Sequence, residues 1–343
     1  MLNDDVLIKV ENLKTYFFLN EGTVRAVDGA DFEIKRGRTM AVVGESGCGK
    51  SITARSIMRI VAKPGKIVGG SIWFQQRPKG SSANGGSASL IDLATLDPYG
   101  DKIRSIRGAE ISMVFQEPMT SLSPVHTIGN QICEVITLHQ KVSESEARKR
   151  AIEMLDMVGM PYPSRTIDRY PHELSGGMRQ RTMIAMALSC HPSLLIADEP
   201  TTALDVTTEA QILTLMRRLQ KELGMAIMFI THNLGVVAQM AESVVVMYMG
   251  KVVEEADVDS IFHNPLHPYT RALLQSIPRL GEKRRGKRLA SIRGMVPDPY
   301  SLPKGCPYHP RCDSFRPGIC DVGEPPFVEA EPGHEVRCVL YTK

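Results

Sequence analysis

Residues 44–51 read Gly-Glu-Ser-Gly-Cys-Gly-Lys-Ser, a complete G-x-x-x-x-G-K-[ST] pattern whose residue types suit one task, cradling phosphate. Gly44, Gly47 and Gly49 let backbone N–H groups curl around phosphate oxygens without Cβ clashes, with Glu45, Ser46 and Cys48 between them. Lys50 has the reach for β- and γ-phosphates, and the Ser51 hydroxyl suits Mg²⁺. Ile52 carries the chain into a helix whose positive end would face the anion. The apolar stretch Met40 to Val43 before the loop, and the helix-compatible stretch Ile52 to Ala62 after it, give the strand–loop–helix setting the pattern needs. The ligand these residues imply is a nucleoside triphosphate.

Three further strand ends carry reactive groups. Ser193-Leu-Leu-Ile-Ala-Asp-Glu-Pro is an apolar strand closing on two carboxylates. Asp198 suits Mg²⁺, usually through water, and Glu199 suits a general base that polarises the attacking water. His232 follows the apolar run Met225–Ile230 and suits a γ-phosphate contact. Gln116, in Met113-Val-Phe-Gln-Glu-Pro, also ends a strand and could touch Mg²⁺ and the water. A second anion-binding helix start follows from Leu174, Ser175, Gly176, Gly177 and Met178, where a serine cap and two glycines open a helix. One mononucleotide site does not need two such ends. The second makes sense if it serves the γ-phosphate of a nucleotide held by another subunit.

Cysteine use is lopsided. Cys48, Cys133 and Cys190 are scattered and read as a bystander and two small buried hydrophobes. Cys306, Cys312, Cys320 and Cys338 crowd the C-terminal end with the spacing C-x5-C-x7-C-x17-C. Four thiolates in a segment too small for its own core suggest a metal that holds it together. Zn²⁺ in a Cys₄ site and a [4Fe–4S] cluster both need four thiolates. The gaps lack the two-residue knuckle common in zinc sites, and Cys306 is followed by proline, as in some cluster ligands. His309 and His334 could stand in for a thiolate, though four cysteines need no help, and reduced, unliganded cysteines are the remaining alternative.

Positioning these groups calls for α/β architecture. Residues 5–35 alternate apolar and polar positions and predict antiparallel strands, and Ser71-Ile-Trp-Phe predicts another. The segment from about 118 to 174 reads as helical, with a capping-box start at Ser143 and a close at Gly159. From 175 onward helical and β-rich runs alternate: 178–189, 194–197, 209–223, 225–230, 234–241 and 244–249. Such alternation implies crossovers and a mostly parallel sheet. Prolines thicken and periodicity fades beyond about 256, which divides the 343 residues into 1–255 and 256–343. The glycine–serine stretch 79–89 reads as a surface insertion and the basic run 283–288 as a solvated linker. No apolar run approaches the ~20 residues of a membrane span, and the N-terminus lacks the look of a signal peptide. A net charge of +3 gives no argument for nucleic acid. Seven cysteines in a chain expected to be cytosolic do not read as disulfides.

In this order the phosphate loop, Gln116, Leu-Ser-Gly-Gly-Met, Leu-Leu-Ile-Ala-Asp-Glu-Pro, Ala203-Leu-Asp205 and Thr231-His232 resemble an ABC-transporter ATPase over residues 5 to about 255. The resemblance implies a RecA-like, mostly parallel core with an antiparallel β subdomain and a helical subdomain near 118–174. It implies head-to-tail subunits that sandwich two ATP molecules, each between one phosphate loop and the partner's signature. Phe17, with Tyr16 as the alternative, would stack on adenine, and Asp205 would couple the two sites across the interface. The segment after Gln116 would meet coupling helices of membrane subunits. Met178 replaces the commoner Gln, and Thr202 stands where Ser is frequent, at positions on which hydrolysis is not expected to depend.

His263-Asn-Pro-Leu-His-Pro-Tyr-Thr-Arg resembles the extension of dipeptide/oligopeptide importer ATPases, a branch that includes nickel importers. Likeness to its D-type subunits favours iron–sulfur over zinc at the four cysteines. It also implies a homologous second ATPase, more often an F-type paralogue than a copy, two transmembrane permease subunits and an extracytoplasmic receptor. The chain would then sit peripherally on the cytosolic face of the membrane. A soluble ABC protein of DNA repair or translation usually has two cassettes or long insertions, against about 120 residues between loop and signature here. An exporter ATPase leaves the extension unexplained.

Overall fold

The structure is a computed structural model and describes residues 3–77, 88–116, 121–202, 204–276 and 292–342. The insertion at 79–89 lies largely outside these residues, as do Ala203, the basic run 283–288 and residues 117–120 after Gln116. The chain forms two compact units. One comprises Met1–Ile34, Met40–Thr95 and Thr231–Lys343; the other comprises Lys35–Thr39 and Leu96–Ile230.

The first unit opens with the antiparallel strands that alternation predicted. Val6–Leu19 lies between Gly22–Lys35 and Gly65–Gln76, and Ser89–Asp92 completes the four-stranded sheet. Ile8 stands opposite Phe74 and Val10 opposite Ile72, so one face is apolar and buried. A second sheet pairs Thr39–Val43 in parallel with Ser243–Tyr248, whose other edge pairs antiparallel with Lys251–Asp257. The strand His334–Val336 continues outward from Lys251–Asp257, and Val328–Glu331 lies beyond it.

The region after 256 was expected to be irregular. It carries short elements instead, the helices Val258–His263 and Pro268–Gln275 and the two edge strands. Proline at the first turn and neighbouring turns hide such elements from a periodicity test. This tail packs partly into the core of its unit and partly on itself. Tyr308 and the half-buried Cys306 and Cys312 share an apolar cluster with Val244, Val246, Tyr248 and Tyr269, while Val336 and Cys338 pack with Leu266. Buried Glu254 accepts the backbone N–H groups of Leu266 (2.6 Å) and His267 (2.9 Å), and His334 Nε2 lies 2.8 Å from the same carboxylate. Lys251 reaches Glu324 at 2.9 Å, and Arg337 reaches Glu324 at 3.3 Å and Asp31 at 3.6 Å. Sheet pairing, shared apolar packing and these ion pairs anchor the tail. The argument that it needs a metal to hold it together therefore loses its premise.

The second unit is built on three parallel strands, Ile111–Val114, Leu194–Asp198 and Ala226–Ile230, with Ile196 facing Met113 on one side and Met228 on the other. Nearly every residue of these strands is buried, as the continuous apolar runs required. The long helices are Ile128–Gln140, Glu144–Met157, Gly176–Leu188 and Val206–Leu223. Each begins on a side-chain cap, from Thr127, Ser143, Ser175 and Asp205 respectively. The last starts three residues earlier than periodicity placed it. Asp205 caps Thr208, which lets the weak helix formers Val206-Thr-Thr enter the first turn.

Candidate nucleotide site

The phosphate loop turns where the strand Thr39–Val43 ends, and the helix Lys50–Ile57 leaves it. Two of its glycines admit no side chain. A Cβ on Gly44 would lie 2.2 Å from the Met247 carbonyl oxygen, and one on Gly49, at φ 107°, 2.3 Å from that of Ala26. Ser46 and Gly47 stay exposed at the crest, whereas Cys48, Gly49 and Lys50 are buried. The Lys50 ammonium donates to the carbonyls of Gly44 (2.8 Å) and Glu45 (3.0 Å), so the cation lies within the cradle it would share with phosphate. Ser51 and Ile52 occupy the first helical turn, half-buried. Burial pushes the Cys48 thiol up, in keeping with a neutral loop-lining residue.

Groups far away in sequence brace this loop from beneath. The Glu45 N–H donates to the Tyr269 hydroxyl at 2.8 Å. The Glu45 carboxylate accepts two hydrogen bonds from the Arg311 guanidinium, at 2.7 and 3.1 Å. Arg311 is buried, donates also to Tyr248 (3.2 Å) and the Arg293 carbonyl (2.9 Å), and lies against the Tyr248 and Tyr308 rings. The bond to Glu45 raises its pKa further, while burial raises those of Tyr248 and Tyr269 and keeps both phenols neutral. Nothing local in the sequence marks Tyr269, Tyr248 or Arg311 as partners of the loop.

The two candidates for adenine stacking differ in what occupies them. Tyr16 donates to Asp28 at 2.5 Å, under the Arg25 guanidinium, and burial first and this bond second push its pKa up to about 12. Phe17 faces Gly65 across the strand pair, where any Cβ would lie 2.7 Å from its ring. His232, in the first unit, is exposed directly after Thr231, whose N–H donates to the Val42 carbonyl at 3.3 Å.

In the second unit the strand Leu194–Asp198 delivers buried Asp198 and, one residue on, Glu199. Glu199 adopts φ 47°, an uncommon left-handed conformation for a residue with a side chain. Its N–H donates to the Ile230 carbonyl at 2.9 Å. Its carboxylate accepts from the Gln116 amide at 3.1 Å and from the Thr202 hydroxyl at 2.9 Å. Gln116 and Glu199, 83 residues apart, thus meet at adjacent strand ends. Thr202, set aside in the sequence as a neutral variation, touches the proposed base. Asp198 and Gln116 carry oxygen donors of the kind a hard cation such as Mg²⁺ takes.

The signature segment lies in the same unit. Leu174 is buried, and Ser175 caps the helix by accepting the Met178 N–H at 3.3 Å. Ser175 and Gly176 are exposed, and Gly177 and Met178 half-buried. A Cβ on Gly177 would lie 2.9 Å from Thr208, on the helix that Asp205 caps. Asp205 itself is exposed and accepts from the Thr208 N–H (3.0 Å) and hydroxyl (2.7 Å), which hold its carboxyl below the usual range.

None of the seven cysteines is in a disulfide. Cys306, Cys312, Cys320 and Cys338 line one small apolar pocket together with His267 and Tyr308. Burial raises the Cys306 pKa to about 11 and shifts Cys312 and Cys338 the same way. The metal expectation gains no support here. Among the described residues no three His, Cys, Asp or Glu side chains are grouped so as to hold a metal ion, which leaves zinc and the iron–sulfur cluster without support from the geometry. His334 is engaged with Glu254, and His309 Nδ1 with the Cys306 carbonyl at 2.9 Å, so neither replaces a thiolate.

Comparison with known proteins agrees with this geometry. The pattern described as ABC transporter matches residues 27–202, and that of the oligopeptide/dipeptide transporter C-terminal region matches residues 253–320. The oligopeptide transport ATP-binding protein AppD of Bacillus subtilis is 50% identical, covering 98% of this chain and 97% of its own. The dipeptide transport ATP-binding protein DppD of Escherichia coli is 43% identical over 97% and 96%. A putative peptide import ATP-binding protein of Brucella abortus is 51% identical over 98% and 97%. Among solved structures, a dimeric ATP-binding cassette in a post-hydrolysis state with ADP and phosphate aligns with TM-score 0.62 and 28% identity. That alignment covers 74% of this chain and 99% of the cassette.

Proposed function

The chain belongs to the ABC transporter ATP-binding proteins, and from that premise we propose that it powers the import of peptides by hydrolysing ATP. One observation carries the peptide assignment: a single polypeptide joins the ATPase pattern to the peptide-transporter C-terminal pattern and matches peptide-import proteins over 97–98% of its length. A nickel importer, an exporter and a soluble ABC protein are not favoured.

The cradle around Gly44 and Gly49 receives the triphosphate, with Lys50 moving from loop carbonyls to the β- and γ-phosphates. Phe17 stacks on adenine, since Tyr16 is committed to Asp28. Ser51, Gln116 and Asp198 would hold Mg²⁺, which would supply neutralisation of phosphate charge. Glu199 takes the proton of the water that attacks the γ-phosphorus. Gln116 and Thr202 fix its carboxylate, and the backbone at φ 47° directs it. His232 steadies the γ-phosphate. Ser175, Gly176 and Gly177 present N–H groups to the nucleotide of a facing subunit, a pairing supported by the dimeric cassette to which the fold is similar. The partners are a homologous ATPase, more often a paralogue than a copy, and two permease subunits fed by an extracytoplasmic receptor. Among the described residues no helix is long and apolar enough to cross a membrane, which suits a peripheral place on the cytosolic face.

Glu199→Gln tests the assignment of the base. It should retain MgATP affinity while lowering turnover by about 10³-fold in the assembled transporter. Turnover within twofold of the unsubstituted protein refutes the assignment.

A finer reading concerns the tail. Cys306, Cys312, Cys320 and Cys338 line one pocket, and the likeness to peptide-importer ATPases is what favours a [4Fe–4S] cluster on them over one zinc ion. Anaerobically purified protein should then contain about four iron and four sulfide per chain, lost in Cys306→Ser. Stoichiometric zinc, or no metal at all, removes the cluster.

A further inference from the structure

We propose that Arg311 is a positioning residue of the nucleotide site, through which the cysteine-rich tail sets both the shape and the charge of the phosphate loop; this rests on the ATPase reading above.

Glu45 is an awkward residue for its place. A carboxylate within an anion-binding loop opposes the approach of a triphosphate by like-charge repulsion. The structure answers this with one cation. Arg311 forms a two-pronged bond to the Glu45 carboxylate, at 2.7 and 3.1 Å, and is itself only 7% exposed, with the Glu45 side chain at 24%, so the pair is partly shielded from water. The same contact is mechanical. The Glu45 carbonyl accepts from Lys50, its N–H is taken by Tyr269 and its side chain by Arg311, so three polar groups of one loop residue are fixed. Two of those three fixings come from beyond residue 256. A loop ordered in advance pays less conformational entropy when the nucleotide arrives.

Arg311 is held as firmly as it holds. Its Nε donates to the Arg293 carbonyl, a second nitrogen reaches the Tyr248 hydroxyl, and the Tyr248 and Tyr308 rings lie 5.8 and 5.9 Å from the guanidinium carbon. It ends the short turn His309–Arg311, flanked by Cys306 and Cys312 of the thiol pocket. A change in that turn therefore reaches the phosphate loop directly through the Arg311 side chain.

The test is calorimetric titration of MgATP into the full-length chain, with thermal melts of each variant alongside. Arg311→Gln both loosens the loop and unmasks the Glu45 charge, and should weaken MgATP binding by about tenfold. Arg311→Lys keeps the charge but loses the fork, and should weaken it by about threefold, which preserves the test if Arg311→Gln folds poorly. The discriminating variant is Glu45→Gln combined with Arg311→Gln. Removing the unmasked charge should return affinity to within about threefold of the unsubstituted chain, and high salt should narrow the deficit of Arg311→Gln alone. Variants that lose melting temperature but keep MgATP affinity within twofold overturn the proposal. So does a double variant that binds as weakly as Arg311→Gln, or more weakly. Failure of the unsubstituted chain to bind MgATP overturns the nucleotide reading itself, and the proposal with it.

Discussion

The two helix starts read here as phosphate sites are built in opposite ways. At the phosphate loop, Gly49 stands as N-cap without a side-chain bond, Gly44 and Gly49 press against carbonyls of other segments, and Lys50 is buried. Loop and brace are separated by 224 residues for Tyr269 and 266 for Arg311. At the signature, Ser175 caps its own helix, Ser175 and Gly176 face outward, and the nearest atom to a Cβ on Gly176 lies 3.9 Å away. The first is a cradle closed on its sides and floor by the rest of its unit. The second is a finished local structure whose Ser175 and Gly176 are exposed among the described residues, which is what a site completed by another subunit requires.

The contrast can be broken most forcefully by adding one methyl group to each end. Gly49→Ala places a Cβ 2.3 Å from a backbone oxygen at φ 107°, where neither partner can yield cheaply. Destabilisation on the order of 3 kcal/mol is expected, seen as a lowered melting temperature, together with loss of MgATP binding. Gly176→Ala meets only Leu204, at an ordinary contact distance of 3.9 Å, and improves helix propensity, so melting temperature and MgATP binding by the chain alone should hold. Turnover of the assembled transporter should nonetheless fall at least tenfold, because the new methyl stands where a facing nucleotide approaches. Full turnover in Gly176→Ala would leave the signature an ordinary capped helix. An unaffected Gly49→Ala would show that the cradle is looser than its contacts imply.

What the sequence disclosed divides along the same line. The signature cap and the glycine cradle are encoded within a few residues, and pattern reading places them directly, whereas the Asp205 cap went unread because the weak helix formers after it hid the helix start. Apolar runs likewise mark the parallel strands, because strands buried on both faces have no polar positions to interrupt them. The brace beneath the loop escaped notice because Glu45, Tyr269 and Arg311 meet only through the fold, and no spacing rule connects them. Thr202 escaped for a different reason. Its hydroxyl touches Glu199 only because Glu199 takes a left-handed backbone that residue types do not announce. The tail misled in one respect: counting its apolar residues in isolation suggested a metal staple, whereas its strand His334–Val336 and its tyrosine borrow the core of the unit it joins.

The subtlest test concerns Asp205, where one side chain has two candidate jobs. As helix cap it accepts from Thr208 through both carboxylate oxygens, a role needing an acceptor rather than a charge. As the residue that couples two sites across a subunit interface it would need its negative charge free to face a partner, and it is exposed enough to do so. Asparagine caps helices about as well as aspartate, so Asp205→Asn should leave the melting temperature of the chain unchanged, while Asp205→Ala lowers it slightly. If coupling depends on the charge, both substitutions should reduce ATPase cooperativity of the assembled pair to a similar degree despite their different stabilities. If only Asp205→Ala shows a defect, the residue is a cap and nothing more, and the outward-facing half of the comparison rests on Ser175 and its two glycines alone.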